Sequence, residues 1–67
     1  MARNDLMHWV AYWLGCNAEQ TATINRTLRG MTMEELKEID RRASDPNQSA
    51  DVLAELLAAD ASQLVSH

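Results

Sequence analysis

The stretch GMTMEELKEIDRRASDPN, residues 30–47, contains the start and stop signals that decide the fold. Thr32 and Glu35 form a capping box, in which each side chain satisfies a backbone N–H at the start of a helix. The Ser-Asp-Pro-Asn sequence that follows breaks the chain, and Pro46 suits the first position of a new helix. This stretch therefore predicts one helix over 33–43 and another that begins at Pro46.

Signals of the same kind mark the other helices. Asn17 and Gln20 form a second capping box, and Gly15 suits the left-handed conformation that commonly follows a helix. We expect Asn4 or Asp5 to cap the first helix. No segment shows the period-2 alternation of a strand. The sequence predicts an all-α fold, a single compact domain of three or four helices over 1–67, with helices at about 5–14, 18–29, 33–43 and 46–65.

The last helix has the clearest apolar stripe. Its apolar residues recur at spacings of three and four, so that they share one face, while its acids fall elsewhere. The stripe consists of Val52, Leu53, Leu56, Leu57, Ala61 and Leu64, and the acids away from it are Asp51, Glu55 and Asp60. We expect the stripe to face the core or a partner.

The size of the chain limits its stability. A core built from 67 residues supplies about 3–5 kcal/mol unless disulfides, a metal or self-association add to it. The single Cys16 cannot form an internal disulfide, and no second cysteine or paired histidines offer a zinc site. We therefore expect no metal and no cofactor, and we expect the chain to form a homodimer.

The charge is distributed unevenly along the chain. The net charge is −4, which disfavours direct binding to nucleic acid or to an anionic membrane. Residues 1–31 have a net charge of +1 and residues 32–67 a net charge of −5. No apolar run approaches the roughly 18 residues of a membrane-spanning helix. Without a convincing signal peptide, the predicted location is the cytoplasm.

All three aromatic residues fall within five positions of the first helix: Trp9, Tyr12 and Trp13. Apolar residues surround that helix almost completely, interrupted only by His8. One interpretation makes it the central helix of the core. The other has one side packed inside while the aromatic side chains meet a second protein chain, since Trp and Tyr are enriched at binding hot spots. Both interpretations remain open at the level of sequence.

The third helix has acidic residues opposite its apolar side. We predict that Glu34, Glu35 and Glu38 steer a partner toward the protein or imitate the phosphates of DNA. Glu38 and Arg42 are spaced for a favourable i,i+4 ion pair. The arginines of this chain are expected to pair with neighbouring acids.

The stretch 24–39 resembles a helix-turn-helix motif. Residues 30–32 resemble its turn, and Leu36 and Ile39 occupy positions that point inward in its second helix. The resemblance implies a DNA-binding transcriptional regulator that uses residues 20–42. Two features depart from the motif: arginines stand where its first helix needs small or apolar residues, and its recognition helix is acidic.

The sequence contains no evident set of catalytic residues. His8 lies on the apolar helix, His67 is terminal, and Cys16 has no assignable base, so the protein is not expected to be an enzyme. The sequence predicts a protein-binding module that inhibits or regulates a partner protein through Trp9, Tyr12, Trp13 and the three glutamates. In size, acidity and lack of motifs it resembles the small accessory proteins of bacteriophages and mobile elements, including the anti-CRISPR group. A structural subunit of a larger assembly is a further alternative.

Overall fold

A computed structural model describes residues 2–65 and the side chains of residues 2–61. This part of the chain forms four α-helices and no strand: α1 (Arg3–Leu14), α2 (Ala18–Arg29), α3 (Met33–Ala43) and α4 (Ser49–Val65). The radius of gyration, 11.1 Å, is close to the value of about 11 Å expected for a compact domain of this length. The predicted all-α fold is confirmed.

Capping interactions fix three of the helix boundaries as predicted. The Asn17 side chain accepts a hydrogen bond from the Gln20 backbone N–H at 2.8 Å, and Gln20 Oε1 accepts one from the Asn17 N–H at 3.2 Å. Thr32 and Glu35 make the same reciprocal pair at 3.1 and 2.9 Å. Gly15 ends α1 in the left-handed conformation, with φ 67° and ψ 32°. Each device satisfies backbone groups that a helix end leaves unpaired.

The start of α1 differs from the prediction. The helix begins at Arg3, and its N-cap is Ala2, which has no side chain that can accept a hydrogen bond. The prediction that Asn4 or Asp5 caps this helix is therefore wrong. A tertiary contact is present at this end instead, because Arg3 Nη1 donates a hydrogen bond to the Met31 carbonyl oxygen at 2.6 Å.

The start of α4 also differs, since the helix begins at Ser49 and not at Pro46. Asp45 still organises this region, but it forms a turn before the helix. Its Oδ1 accepts a hydrogen bond from the Asn47 N–H at 2.9 Å, and its Oδ2 accepts one from Gln48 Nε2 at 3.0 Å. Such side-chain bonds to nearby groups compete with helix formation.

The four helices enclose one apolar core. Helix α1 packs mainly on α3, α2 packs on α4, and α3 also contacts α4. Consecutive helices α2 and α3 hardly touch each other. The buried apolar residues are Leu6, Met7, Val10, Ile24, Leu28, Leu36, Ala43, Val52 and Leu56. Within residues 2–65, no helix is both long and apolar enough to cross a membrane.

The apolar stripe of α4 is confirmed in its first two turns. Val52 and Leu56 are buried, and Leu53 and Leu57 pack against the core from partly buried positions. Ala61, which was predicted on the same side, is exposed, so the buried part of the stripe ends before it. The side chain of Leu64 lies outside the described residues.

An ion pair between α2 and α4 explains why one acid of α4, Asp60, is buried. Asp60 is buried, with 6% of its surface exposed. Arg26 on α2 donates to both of its carboxylate oxygens, from Nε and Nη2, at 3.1 Å each. These hydrogen bonds compensate the cost of burying the carboxylate and lower the pKa of Asp60. The helix period alone placed Asp60 among the acids away from the apolar stripe.

The expected ion pair between Glu38 and Arg42 is absent from the described residues. Glu38 pairs instead with Arg41, one position earlier, through both carboxylate oxygens. Arg42 reaches across to α4, where its Nη2 lies 2.7 Å from Glu55 Oε2. The tertiary packing of α3 on α4 therefore decides which acid Arg42 contacts.

Candidate protein-binding surfaces

The side chains of Trp9, Tyr12 and Trp13 lie on the surface of α1. Their exposed fractions are 40%, 63% and 42%. Leu6 and Val10, on another side of the same helix, are buried in the core. The interpretation of this helix as buried on all sides is therefore wrong, whereas one side does pack inside. We call Trp9, Tyr12 and Trp13 the aromatic cluster.

The three rings of the aromatic cluster contact one another. Trp9 and Trp13 are stacked, with ring centroids 5.8 Å apart and 28° between the ring planes. Tyr12 meets them edge to face, at 5.5 Å from Trp9 and 5.3 Å from Trp13. These are the geometries that aromatic pairs prefer. Each ring is therefore covered in part by the other two rings. Together the three rings present a continuous apolar surface.

The three predicted glutamates also lie together, on α3. Glu34, Glu35 and Glu38 surround a shallow, mainly apolar depression of about 390 Å³, with Met31 and Ile39 as its other lining residues. We call these three glutamates the acidic face. No side chain of the aromatic cluster lines this depression. The predicted site residues form two groups, one on α1 and one on α3.

Two of the three acidic-face carboxylates make contacts within the chain. Glu35 accepts the hydrogen bond from the Thr32 backbone, which lowers the pKa of its carboxyl group. Glu38 accepts hydrogen bonds from Arg41, which lower its pKa in the same way. Glu34 makes no hydrogen bond or ion pair with any residue in the described part of the chain. It is the acid of this face whose carboxylate has no internal role there.

A second depression was not anticipated from the sequence. It has a volume of about 280 Å³ and lies between α1 and α2; we call it the α1–α2 cleft. Its polar lining residues are Asn4, His8, Thr21, Asn25 and Arg29. These residues come from two helices, and no local motif connects them. The period of each helix could have shown which of them share a face, but not that the two faces meet.

Of the residues considered for catalysis, His67 lies outside the described residues. Partial burial raises the pKa of the Cys16 thiol, whereas reactive cysteines have lowered values. His8 is exposed, and its ring contacts the edge of Trp9 at 5.9 Å. Among the residues whose side chains are described, no group of three or more His, Cys, Asp or Glu could hold a metal ion.

The helix-turn-helix region has the expected turn but an unusual arrangement. Leu36 is buried and Ile39 partly buried, as that motif needs. However, α2 and α3 pack on α4 and α1 and hardly on each other. The outward side of α3 is the acidic face, which would repel phosphates.

Comparison of this chain with protein-family models, with curated proteins and with solved structures found no match.

Proposed function

We propose that the protein is a non-enzymatic protein-binding module that inhibits or regulates its partner, and that the aromatic cluster is its main contact surface. The supporting observation is the exposure of Trp9, Tyr12 and Trp13 side by side on α1. Contiguous apolar surface of this kind commonly marks an interaction site. Rings that are already packed together lose little conformational freedom when a partner covers them.

Self-association is part of this proposal. A small core gains stability when a second copy covers exposed apolar surface, because binding to the folded state alone shifts the folding equilibrium. We propose a homodimer in which two aromatic clusters meet, and in which the partner protein replaces one copy when it binds. Sedimentation equilibrium tests it: the wild-type protein should behave as a dimer and the Tyr12→Ser variant as a monomer. A wild-type monomer at all accessible concentrations would refute the dimer and leave the cluster free for another protein.

Affinity capture from a lysate of the source organism tests the binding function. Three tagged baits are compared with and without nuclease treatment: the wild type, an aromatic variant (Trp9→Ser, Tyr12→Ser and Trp13→Ser) and an acidic variant (Glu34→Gln, Glu35→Gln and Glu38→Gln). Circular dichroism establishes first that each bait is folded. We expect one protein in stoichiometric amount on the wild-type bait and its loss from the aromatic bait.

The acidic bait distinguishes steering from anchoring. If the acidic face steers the partner, the acidic variant should retain it with a slower, less salt-dependent association. Equal capture by the aromatic variant and the wild type would contradict the proposal. Capture that disappears on nuclease treatment would instead favour a nucleic-acid-binding regulator. A large, fixed assembly that contains the protein would favour the structural subunit.

A further inference from the structure

We infer that the α1–α2 cleft is a carboxylate site that extends the aromatic cluster, so that the partner segment carries an apolar anchor next to an acidic side chain. This inference rests on the proposed function and adds the chemistry of the partner. It concerns residues that the aromatic cluster does not include: His8, Asn25 and Arg29.

The charge of the cleft comes from Arg29. Most other basic residues of the described chain are engaged: Arg3 with the Met31 carbonyl, Arg26 with Asp60, Arg41 with Glu38 and Arg42 with Glu55. Arg29 was also predicted to pair with an acid, but it makes no ion pair with any described residue. Its exposed side chain lines the cleft. A guanidinium group binds carboxylates through paired, charge-assisted hydrogen bonds. An acidic side chain of a partner fits this position.

A second polar group indicates that the ligand is a peptide segment and not a free anion. Asn25 lines the cleft, and its Oδ1 atom is buried without a hydrogen-bond partner. This atom has almost no accessible surface, so a donor in the cleft reaches it only when the Asn25 side chain turns toward the cleft. Until a donor reaches it, the unsatisfied buried acceptor costs free energy. A carboxylate has no donor to offer, but a peptide segment supplies a backbone N–H beside its carboxylate. Arg29 and Asn25 together therefore match an acidic residue and its main chain.

The cleft adjoins the aromatic cluster through His8. This side chain lines the cleft and also contacts the edge of the Trp9 ring, with centroids 5.9 Å apart. The charge of the chain favours the same arrangement, because residues 1–31 carry +1 and residues 32–67 carry −5. An acidic segment is attracted to the first part of the chain and repelled by the second. A nucleic acid needs several cations along its phosphates, whereas the cleft offers one guanidinium.

Nuclear magnetic resonance titration of the full chain, at a concentration where it is monomeric, tests the inference with two defined probes. The first is the acetylated and amidated peptide Leu-Glu-Glu-Leu, and the second is its neutral counterpart Leu-Gln-Gln-Leu. We expect the acidic peptide to shift the side-chain signals of Asn25 and Arg29 and the indole signals of Trp9 and Trp13. The neutral peptide should bind roughly tenfold more weakly, as expected for loss of one partly exposed charge-assisted pair.

Matched variants separate the cleft from general electrostatics. Arg29→Gln and Lys37→Gln remove the same charge, and Lys37 is exposed on α3, where it has no ion pair with a described residue. Arg29→Gln should abolish the preference for the acidic peptide, and Lys37→Gln should keep it. Equal affinity for both peptides, equal effects of the two variants, or no shift at Asn25 and Arg29 would each overturn the inference.

The same spectra distinguish failure of this inference from failure of the proposed function. If both peptides shift the indole signals and neither shifts the cleft, the aromatic cluster is still a binding surface and the carboxylate site is refuted. If no indole signal moves, the proposed function loses its support as well. A duplex oligonucleotide that shifts Arg29 in place of the peptides would also refute the carboxylate site.

Discussion

The aromatic cluster on α1 and the acidic face on α3 are both exposed groups of three residues, but they differ in what they do within the chain. The rings of the aromatic cluster contact one another, and each remains at least 40% exposed. In the acidic face, Glu35 closes a capping box and Glu38 binds Arg41. Exposed charge here largely serves the helix that carries it, whereas the exposed rings are available to a partner. Exposure alone therefore does not identify a binding surface.

The largest expected effect on stability comes from a substitution in the core, and it distinguishes the core from the aromatic cluster. Leu36 is fully buried, and Leu36→Ala should lower the free energy of unfolding by about 2–5 kcal/mol. Because the whole core supplies about 3–5 kcal/mol, most molecules of this variant should be unfolded. Urea denaturation followed by circular dichroism measures the loss. Tyr12→Ala is the control, and an equal loss for it would show that the aromatic cluster is part of the core.

The next largest effect on stability is expected at Asp60, the buried acid of α4. Hydrogen bonds from Arg26 hold the pKa of Asp60 below its ordinary value of 3.8. The ionised form therefore favours folding above that value, and this contribution is lost as the pH falls through the lower pKa of the folded state. We expect Asp60→Asn to be clearly less stable than the wild type at about pH 7 and the difference to be smaller at about pH 3, below the ordinary pKa of the carboxyl group.

Urea unfolding at both pH values checks this, with Glu38→Gln as the control. Glu38 forms an exposed pair with Arg41, and such pairs contribute little. A loss for Asp60→Asn that does not depend on pH would contradict the assigned ionic role of Asp60. A loss for Glu38→Gln as large as that for Asp60→Asn would show that the acidic face contributes more to stability than its exposure indicates.

A smaller loss is expected when the capping box beside the acidic face is broken. Thr32→Ala removes the side-chain acceptor for the Glu35 N–H and should cost about 1 kcal/mol. Thr32→Ser keeps the hydroxyl group and should stay close to the wild type. Thermal or urea unfolding gives both values. If Thr32→Ala leaves stability unchanged, the hydroxyl group of Thr32 is not needed as a cap for α3.

The smallest effect is expected at Glu34. Its carboxylate has no hydrogen bond within the described chain, so Glu34→Gln should lower the free energy of unfolding by only about 0.3 kcal/mol, through loss of a negative charge in the first turn of α3. If the acidic face steers a partner, the substitution should slow association modestly at low salt and have no effect at high salt. Stopped-flow association with the captured partner measures the rate. A faster dissociation or a changed rate at high salt would assign Glu34 a direct contact instead.

The sequence predicted the helices well because their signals are local. Asn17 with Gln20, Thr32 with Glu35, and Gly15 each lie within one turn of the backbone groups that they satisfy. The start of α4 was missed although its signal is also local, since Asp45 can cap a helix or close a turn, and its bonds to Asn47 and Gln48 select the turn.

Features that depend on how helices pair could not be predicted. The burial of Asp60 requires Arg26 from α2 to lie beside α4, and the partner of Arg42 requires α4 beside α3. The α1–α2 cleft likewise exists only once two helices meet. For the aromatic cluster, a buried helix and a helix with one exposed side have the same apolar pattern, so the sequence left both interpretations open.

The most direct test of the central claim is the free energy of unfolding of the variant that combines Trp9→Ser, Tyr12→Ser and Trp13→Ser. It is measured by urea denaturation and circular dichroism at a concentration where the wild type is monomeric, so that lost self-association does not contribute. If the aromatic cluster serves binding, the variant should unfold cooperatively and lose less stability than Leu36→Ala. A variant that is unfolded without urea would contradict the claim, because the rings would then be needed for the fold itself.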